Sequence, residues 1–247
     1  MNGLLAYTGT ASPDLPELRS ISGHHSRSQG GIMLVPKMYE ASSPEQIRAV
    51  VSGYPLALLL TNGTQVPFAT NLPVVTADDA GGDDLVGRTL FGHMNRTNKH
   101  WPALADGMSG KLVFNGPGAY ISPVAYETSP AAPTWDFVTV HLYGRIRPLP
   151  AGEDTLAVVR RTAALLEGEF GRGWDQSDSV DYFRSIVAGV GAFEFHVDKA
   201  EAMFKLSQEK SPEIQQRLID GFADRAGSHR ALGCTMRDFG LGTTEGP

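Results

Sequence analysis

The chain has 247 residues, 41% of them hydrophobic and 19% charged, a balance that fits one large folded domain with or without a small appendage and argues against a disordered or membrane-spanning chain. Its 27 acidic residues outnumber 21 basic ones, for a formal charge of −6, so it lacks the global excess of positive charge that nucleic-acid binders present to phosphates. The single cysteine, Cys234, allows neither an internal disulfide nor a cysteine-rich zinc set, and 28 glycines with 16 prolines favour many turns over a long helical bundle.

Residues 1–32 read as a flexible leader. SISGHHSRSQGG is polar, rich in Gly and Ser and without period, and the pair His24–His25 reads as solvated. MNGLLAYTGT carries neither a basic region nor a sustained apolar stretch, so a cytoplasmic protein with no membrane partner is expected. Order is expected from residue 33. In SSPEQIRAVVSG, Ser43 is a natural helix cap, Pro44 suits the first helical position, and Ile47, Val50 and Val51 share a face. The apolar runs around Asn62–Gly63 predict a hairpin, and RTLFGHM a third strand.

NRTNKHWPALA follows as a short helix or turn, then KLVFNG and GAYISP as two strand-like pieces around a tight Gly116–Pro117–Gly118 turn. FVTVHLYGRIRPL alternates as a long half-buried strand, with His141 expected inward as a core histidine. EDTLAVVRRTAALLEGEF has helical period, with Leu156, Val159, Thr162, Leu165 and Leu166 near one face. SVDYFRSIVAG is a further helix, GAFEFHVDKAEAMFKL a late strand, and SPEIQQRLIDGFA repeats the Ser-Pro helix start. A meander of strands followed by helices predicts an α+β fold with an antiparallel barrel, organised as leader 1–32, domain 33–222 and C-terminal tail 223–247. No GxGxxG, GxxxxGK[ST] or GxSxG occurs, so dinucleotide, P-loop and hydrolase-elbow chemistry have no local support.

The densest constellation is GHMNRTNKHW, which places two histidines, Arg96, Lys99 and Trp101 within ten residues at a strand end. Arg96 and Lys99 suit a phosphate or a propionate, and His93 suits a metal or a proton relay. The same residues also describe a polar loop in water beside a satisfied buried histidine. A second group, Tyr120, Tyr126 and Trp135, offers aromatic surface for a flat ligand or filling for the core. In FKLSQEK, Lys205 is either a site residue or a solvated cation.

Taken together, MYEASSPEQIRAVV, PLALLLTNG, PFATNLPVV, LFGHMNRTNKHW, VFNGPGAYISPVAY, PTWDFVTVHLYG and FKLSQEK resemble the PaiB-like family, from about Met38 to Phe222. That family is usually labelled FMN-binding negative transcriptional regulator. The resemblance implies an antiparallel split β-barrel of the FMN-binding type with flanking helices, built as a homodimer with sites at the subunit interface. The family also contains heme-dependent piperazate synthases, which close N5-hydroxy-L-ornithine, a small amino-acid substrate, into L-piperazate by forming an N–N bond. Their axial heme ligand maps onto His93.

That branch implies a heme b site with His93 on iron; a heme also needs cations for two propionates and an apolar slot, which Arg96, Lys99 and His100 with Trp101 can provide. Lys205 and Tyr120 are then the candidates for the base that keeps the substrate amine neutral. The alternative implied by the family label is an FMN-binding regulator or flavin protein in which Arg96 and Lys99 grip the phosphate and His93 is structural. Three positions depart from the PaiB-like pattern: Asn95 in place of alanine, Ala125 in place of an aromatic, and Asp136 in place of asparagine.

Overall fold

Apolar side chains at every second position are what allow one strand to face a core and water at once. In the computed structural model, which describes residues 33–77 and 82–242, such strands are β1 (Leu56–Thr61), β2 (Phe68–Thr76), β3 (Thr89–Asn95), β4 (Met108–Ile121), β5 (Thr134–Pro148) and β6 (Val190–Lys205). They pair antiparallel in the order β1-β2-β3-β6-β5-β4 and close into a barrel, which leaves no sheet edge open to another chain. The expected α+β split-barrel class with flanking helices is the class observed.

Within β5, Val138, Val140, Leu142 and Ile146 point inward against Leu90, Leu112, Phe114, Phe193 and Phe195, all buried. The interior is so full beside β3 that a Cβ added to Gly92 would lie 2.4 Å from Phe193 Cζ. Gly92 therefore exists to admit a ring, and the neighbouring His93 inherits a fixed position on the opposite face.

The expected Asn62–Gly63 hairpin forms, with Thr61 opposite Phe68, but the connection is six residues long and not two. KLVFNG and GAYISP are not two strands around a turn. They are one strand, β4, whose pairing with β5 shifts between Asn115 and Gly118. A bulge is where a strand tolerates proline, because the residue there has no ladder bond to donate. His141 also departs from expectation: it is half-buried on the outward set of β5, edge-on to Tyr143 at 6.4 Å, while the core takes its neighbours Val140 and Leu142.

Among the described residues five helices flank the barrel: α1 (Pro44–Gly53), α2 (Glu153–Phe170), α3 (Val180–Ile186), α4 (Pro212–Ala223) and α5 (Ser228–Asp238). Pro44 and Pro212 open α1 and α4 as read from sequence. α2 buries Thr155, Leu156, Val158 and Thr162, a face turned slightly from the expected one, and covers the outer side of β3 and β6. Residues 228–238, read from sequence within a tail, are helical, and Leu232 and Met236 of α5 are fully buried in the main core. The leader 1–32, with its His24–His25 pair, lies outside the described residues. Among the described residues no helix is long and apolar enough to cross a membrane.

Candidate functional site

On β3, Leu90, Gly92 and Met94 are buried inward and Phe91, His93 and Asn95 project outward. His93 pairs with Ala192 of β6, and Ala192 packs with Leu149, Val158 and Phe91 under α2. The His93 Nδ1 atom is buried and meets no hydrogen-bond partner. Burial lowers its pKa from the ordinary imidazole value, which favours the neutral ring near neutral pH. A neutral imidazole with an unspent lone pair has what a metal or a ligand proton requires.

The other members of the GHMNRTNKHW group serve different ends. Arg96 donates from Nε to Val190 O at 2.8 Å, its own N–H donates to Gly189 O, and its guanidinium lies 5.0 Å over the Trp101 ring. That ring fills the space of the Cβ missing at Gly191, within 2.4 Å of where it would be. Arg96 and Trp101 thus fasten the loop after β3 onto the start of β6. His100 is 1% exposed. Its Nε2 lies 2.8 Å from Thr61 Oγ1, its Nδ1 lies 2.9 Å from Thr70 Oγ1, and its ring stacks on Phe68 at 5.0 Å. Both ring nitrogens are occupied, so the expected cofactor contact of His100 gives way to a clasp between β1 and β2. Lys99 is exposed.

Tyr120 and Lys205 stand apart from His93. Tyr120, half exposed on β4, faces Trp135 across the ladder with ring centres 6.3 Å apart. Lys205 donates through Nζ to Thr134 Oγ1 and to Trp135 O at 3.1 Å, an amine already engaged as a donor. From Ala192, beside His93, to Lys205 the contour of β6 is roughly 40 Å at ~3.3 Å per residue. Within one chain His93 therefore lies by one end of β6, and Lys205, with Tyr120 nearby on β4, by the other.

Sequence reasoning missed two further groups. Between β3, β5, β6 and α2 a cavity of about 460 Å³ is lined by Phe91, Leu149, Ala157 and Val158 together with Arg147, Arg161, Asp154 and Glu194. Arg147 pairs with Glu194 at 2.5 Å, and Arg161 donates to Thr76 O at 3.2 Å with its guanidinium 6.0 Å over Phe91. The signal was the outward phase that Phe91 shares with His93.

The second group surrounds Asp136, which is fully buried at an inward position of β5. Its Oδ2 accepts from Ser207 Oγ at 2.6 Å while Oδ1 meets no donor, and the nearby buried Tyr126 hydroxyl is also unpartnered. Desolvation raises the Asp136 pKa to about 6, against the lowering effects of the Ser207 bond and the Lys205 charge. Ser207 sits at φ 61°, a left-handed conformation that non-glycine residues adopt at a cost.

The closed six-stranded barrel, its flanking helices and the outer strip of β3 and β6 define a split-barrel protein of the α+β class. Residues 33–199 match the family described as "Putative FMN-binding domain". The chain belongs to that family, and the PaiB-like membership expected from sequence is established. It is 29% identical over 192 residues to the Bacillus subtilis (strain 168) protein "Protease synthase and sporulation protein PAI 2", covering 76% of this chain and 88% of that one. An uncharacterized protein of Aspergillus fumigatus is 25% identical over 70% of this chain and 80% of its own length.

Among solved structures, a conserved hypothetical protein from Mycobacterium tuberculosis matches with a TM-score of 0.48 at 11% identity, covering 70% of this chain and 91% of that one. A FAD and heme binding protein from Mycobacterium smegmatis matches at 0.45 and 15% identity, over 68% and 73% of the two chains.

Proposed function

We propose that this chain is a flavin-binding protein of the PaiB type that holds FMN against the outer face of β3 and β6. The observation that carries this reading is the family match over residues 33–199, which takes in β1 through β5 and the part of β6 beside His93. The residues present fit the group. Phe91, Leu149 and Val158 offer an apolar wall to a flat ring, and Arg147 and Arg161 offer cations to a phosphate. Arg96 instead fastens the loop after β3, with its Nε on Val190 O and its guanidinium over Trp101.

Flavin, once bound, would supply redox chemistry; the protein's part is to bind, orient and shield it. The untagged protein is expected to retain a two-banded flavin spectrum after FMN is added and unbound flavin is removed by gel filtration. Arg161→Gln is expected to weaken FMN about tenfold while leaving riboflavin, which has no phosphate, unchanged. A wild-type protein that takes up no FMN would overturn the reading.

A second reading is favoured by the unpartnered His93 Nδ1: a heme b enzyme of the piperazate synthase type. The His93 imidazole has the chemistry of a nitrogen donor that would hold heme iron. Heme iron would supply a Lewis acid at which the N–O bond of N5-hydroxy-L-ornithine is polarised, and closure to L-piperazate releases water without net redox change. Within one chain neither Tyr120 nor Lys205 reaches His93, so a base from this pair requires a second copy of the chain, and a homodimer follows as part of the reading. Its test is a Soret band in protein from heme-supplemented cells that disappears in His93→Ala, with a mass in solution of about twice 26.5 kDa. Unchanged heme loading in that variant would remove His93 from iron chemistry. Either cofactor makes DNA binding a separate question, for which the −6 charge offers no help.

A further inference from the structure

A cavity of about 550 Å³ lies between the end of β4, the 3-10 turn Pro123–Tyr126 and the helices α4 and α5. Its size falls within the ~300–1,000 Å³ of small-molecule sites. Its floor is apolar, from Ile121, Leu218 and Phe222, and its rim carries Arg217, Arg225 and His229. In a chain of formal charge −6, three basic side chains converge here and no carboxylate is among the described lining residues.

The void is made by two positions with almost no side chain. Ala125 lies on the turn, and Gly221 lies on α4 one helical turn after Arg217 and shortly before the helix ends ahead of Arg225. A Cβ added to Gly221 meets nothing within 4 Å. Glycine in a helix costs about 1 kcal/mol relative to alanine, and no close packing of this backbone repays it. Arg217 is held in place before any ligand arrives: its Nη1 donates to Tyr126 O at 2.7 Å. Its acid partner, Glu127, is a surface residue at 3.5 Å, and an exposed pair of that kind is weak enough for an incoming anion to displace. The His229 ring stands edge-on to Phe222 at 5.6 Å, which fixes it beside the apolar floor.

We propose that this cavity is a second ligand site, for a small organic anion whose carboxylate or phosphate head meets Arg217, Arg225 and His229 and whose apolar body lies over Leu218 and Phe222. Around the ring β4 is three strands from β3 in either direction, so within one chain the site is separate from the His93 face. Tyr120 also lines it, so the site is separate under the flavin reading or with no cofactor, whereas the heme reading would bring it beside the His93 of a second copy.

The test is calorimetric titration of the full chain, as purified, with phenylacetate and phenyl phosphate, using phenylacetamide and inorganic phosphate as controls. Saturable binding of at least one aryl anion is expected, with each control at least tenfold weaker, and the stronger arm identifies the head group. Gly221→Leu is expected to weaken that anion at least tenfold with melting temperature unchanged or raised. Arg225→Gln is expected to weaken the anion about tenfold, and Glu127→Gln to tighten it. No binding of either anion by wild-type protein at 10 mM overturns the proposal, as does a Gly221→Leu protein that binds normally. Release of bound cofactor by the anion would place the cavity in the cofactor site, and affinity that falls with rising protein concentration would make the face a contact between copies. Either result overturns a separate site.

Discussion

Asp136→Asn should stabilise the protein at neutral pH, and should do so in a pH-dependent way that identifies the cause. The carboxyl is fully buried, accepts one bond from Ser207 and leaves Oδ1 without a donor. Desolvation raises its pKa from 3.8 to about 6, so the folded state holds the proton more tightly than the unfolded one. Stability is then fully present below pH ~4 and is lost as pH rises through ~6. A shift of about two units corresponds to roughly 3 kcal/mol. Asparagine has the same shape, carries no charge and can still accept from Ser207, and it is also the residue that the PaiB-like pattern places here.

Denaturant unfolding of both proteins from pH 4 to 8 is the assay, with the difference between them as the readout. The difference is necessary because the buried histidines act in the opposite sense. The His100 pKa is lowered by burial, so its contribution is lost as pH falls below ~6.5. The gap in favour of the variant should open between pH ~4 and ~6 and reach roughly 3 kcal/mol, or roughly 6–12 °C in melting temperature for a chain of this size. Ser207→Ala should move the midpoint of the gap to higher pH by removing a bond that favours the charged form. A gap constant to within ~0.5 kcal/mol across the range would refute the argument, since Asp136 would then titrate alike in both states.

His100→Ala should cost about 1–3 kcal/mol of stability, because the buried Thr61 hydroxyl loses its partner while the half-buried Thr70 keeps only Asn98, yet leave cofactor loading of the folded protein intact; loading that vanished with stability unchanged would restore His100 to the site. Gly191→Ala should cost about 1–3 kcal/mol by forcing the Trp101 ring aside, and a shift in tryptophan emission would report the movement, whereas wild-type stability and emission would contradict the close approach. Lys205→Met should leave monomer stability within ~1 kcal/mol, since the Nζ contacts are peripheral to the core, and a larger loss in melts would assign it a structural role.

Local signals carried the elements whose causes are local. Ser-Pro at 43–44 and at 211–212 announced two helices, because proline needs no partner for its missing N–H in a first turn. The alternation of FVTVHLYGRIRP announced β5. Gly116–Pro117–Gly118 reads as a turn only until β5 is alongside to pair with both flanks, so the bulge in β4 is a property of two strands and invisible in one.

Asp136 was in phase with Val138, Val140 and Leu142, and that phase placed it inside. A charged residue at an inward position is simply the observation that a reading based on hydrophobicity discounts. The candidate site was half legible. The outward histidine of β3 stood out by composition, but the assignment of His100 to a clasp and of Tyr120 and Lys205 to the far end of β6 depends on barrel closure, which joins residues distant in sequence.

The match to the family described as "Putative FMN-binding domain" stops at residue 199, six residues before β6 ends. Beyond it lie Ala202, Phe204, Leu206, Leu218, Ile219, Phe222, Leu232 and Met236, all members of the one main core. The end of that match is therefore not a border at which the protein can be cut. A gene fragment or fusion trimmed to the recognised region would expose the barrel's own interior as adhesive surface. Any transplantation of this module has to carry α4 and α5 with it.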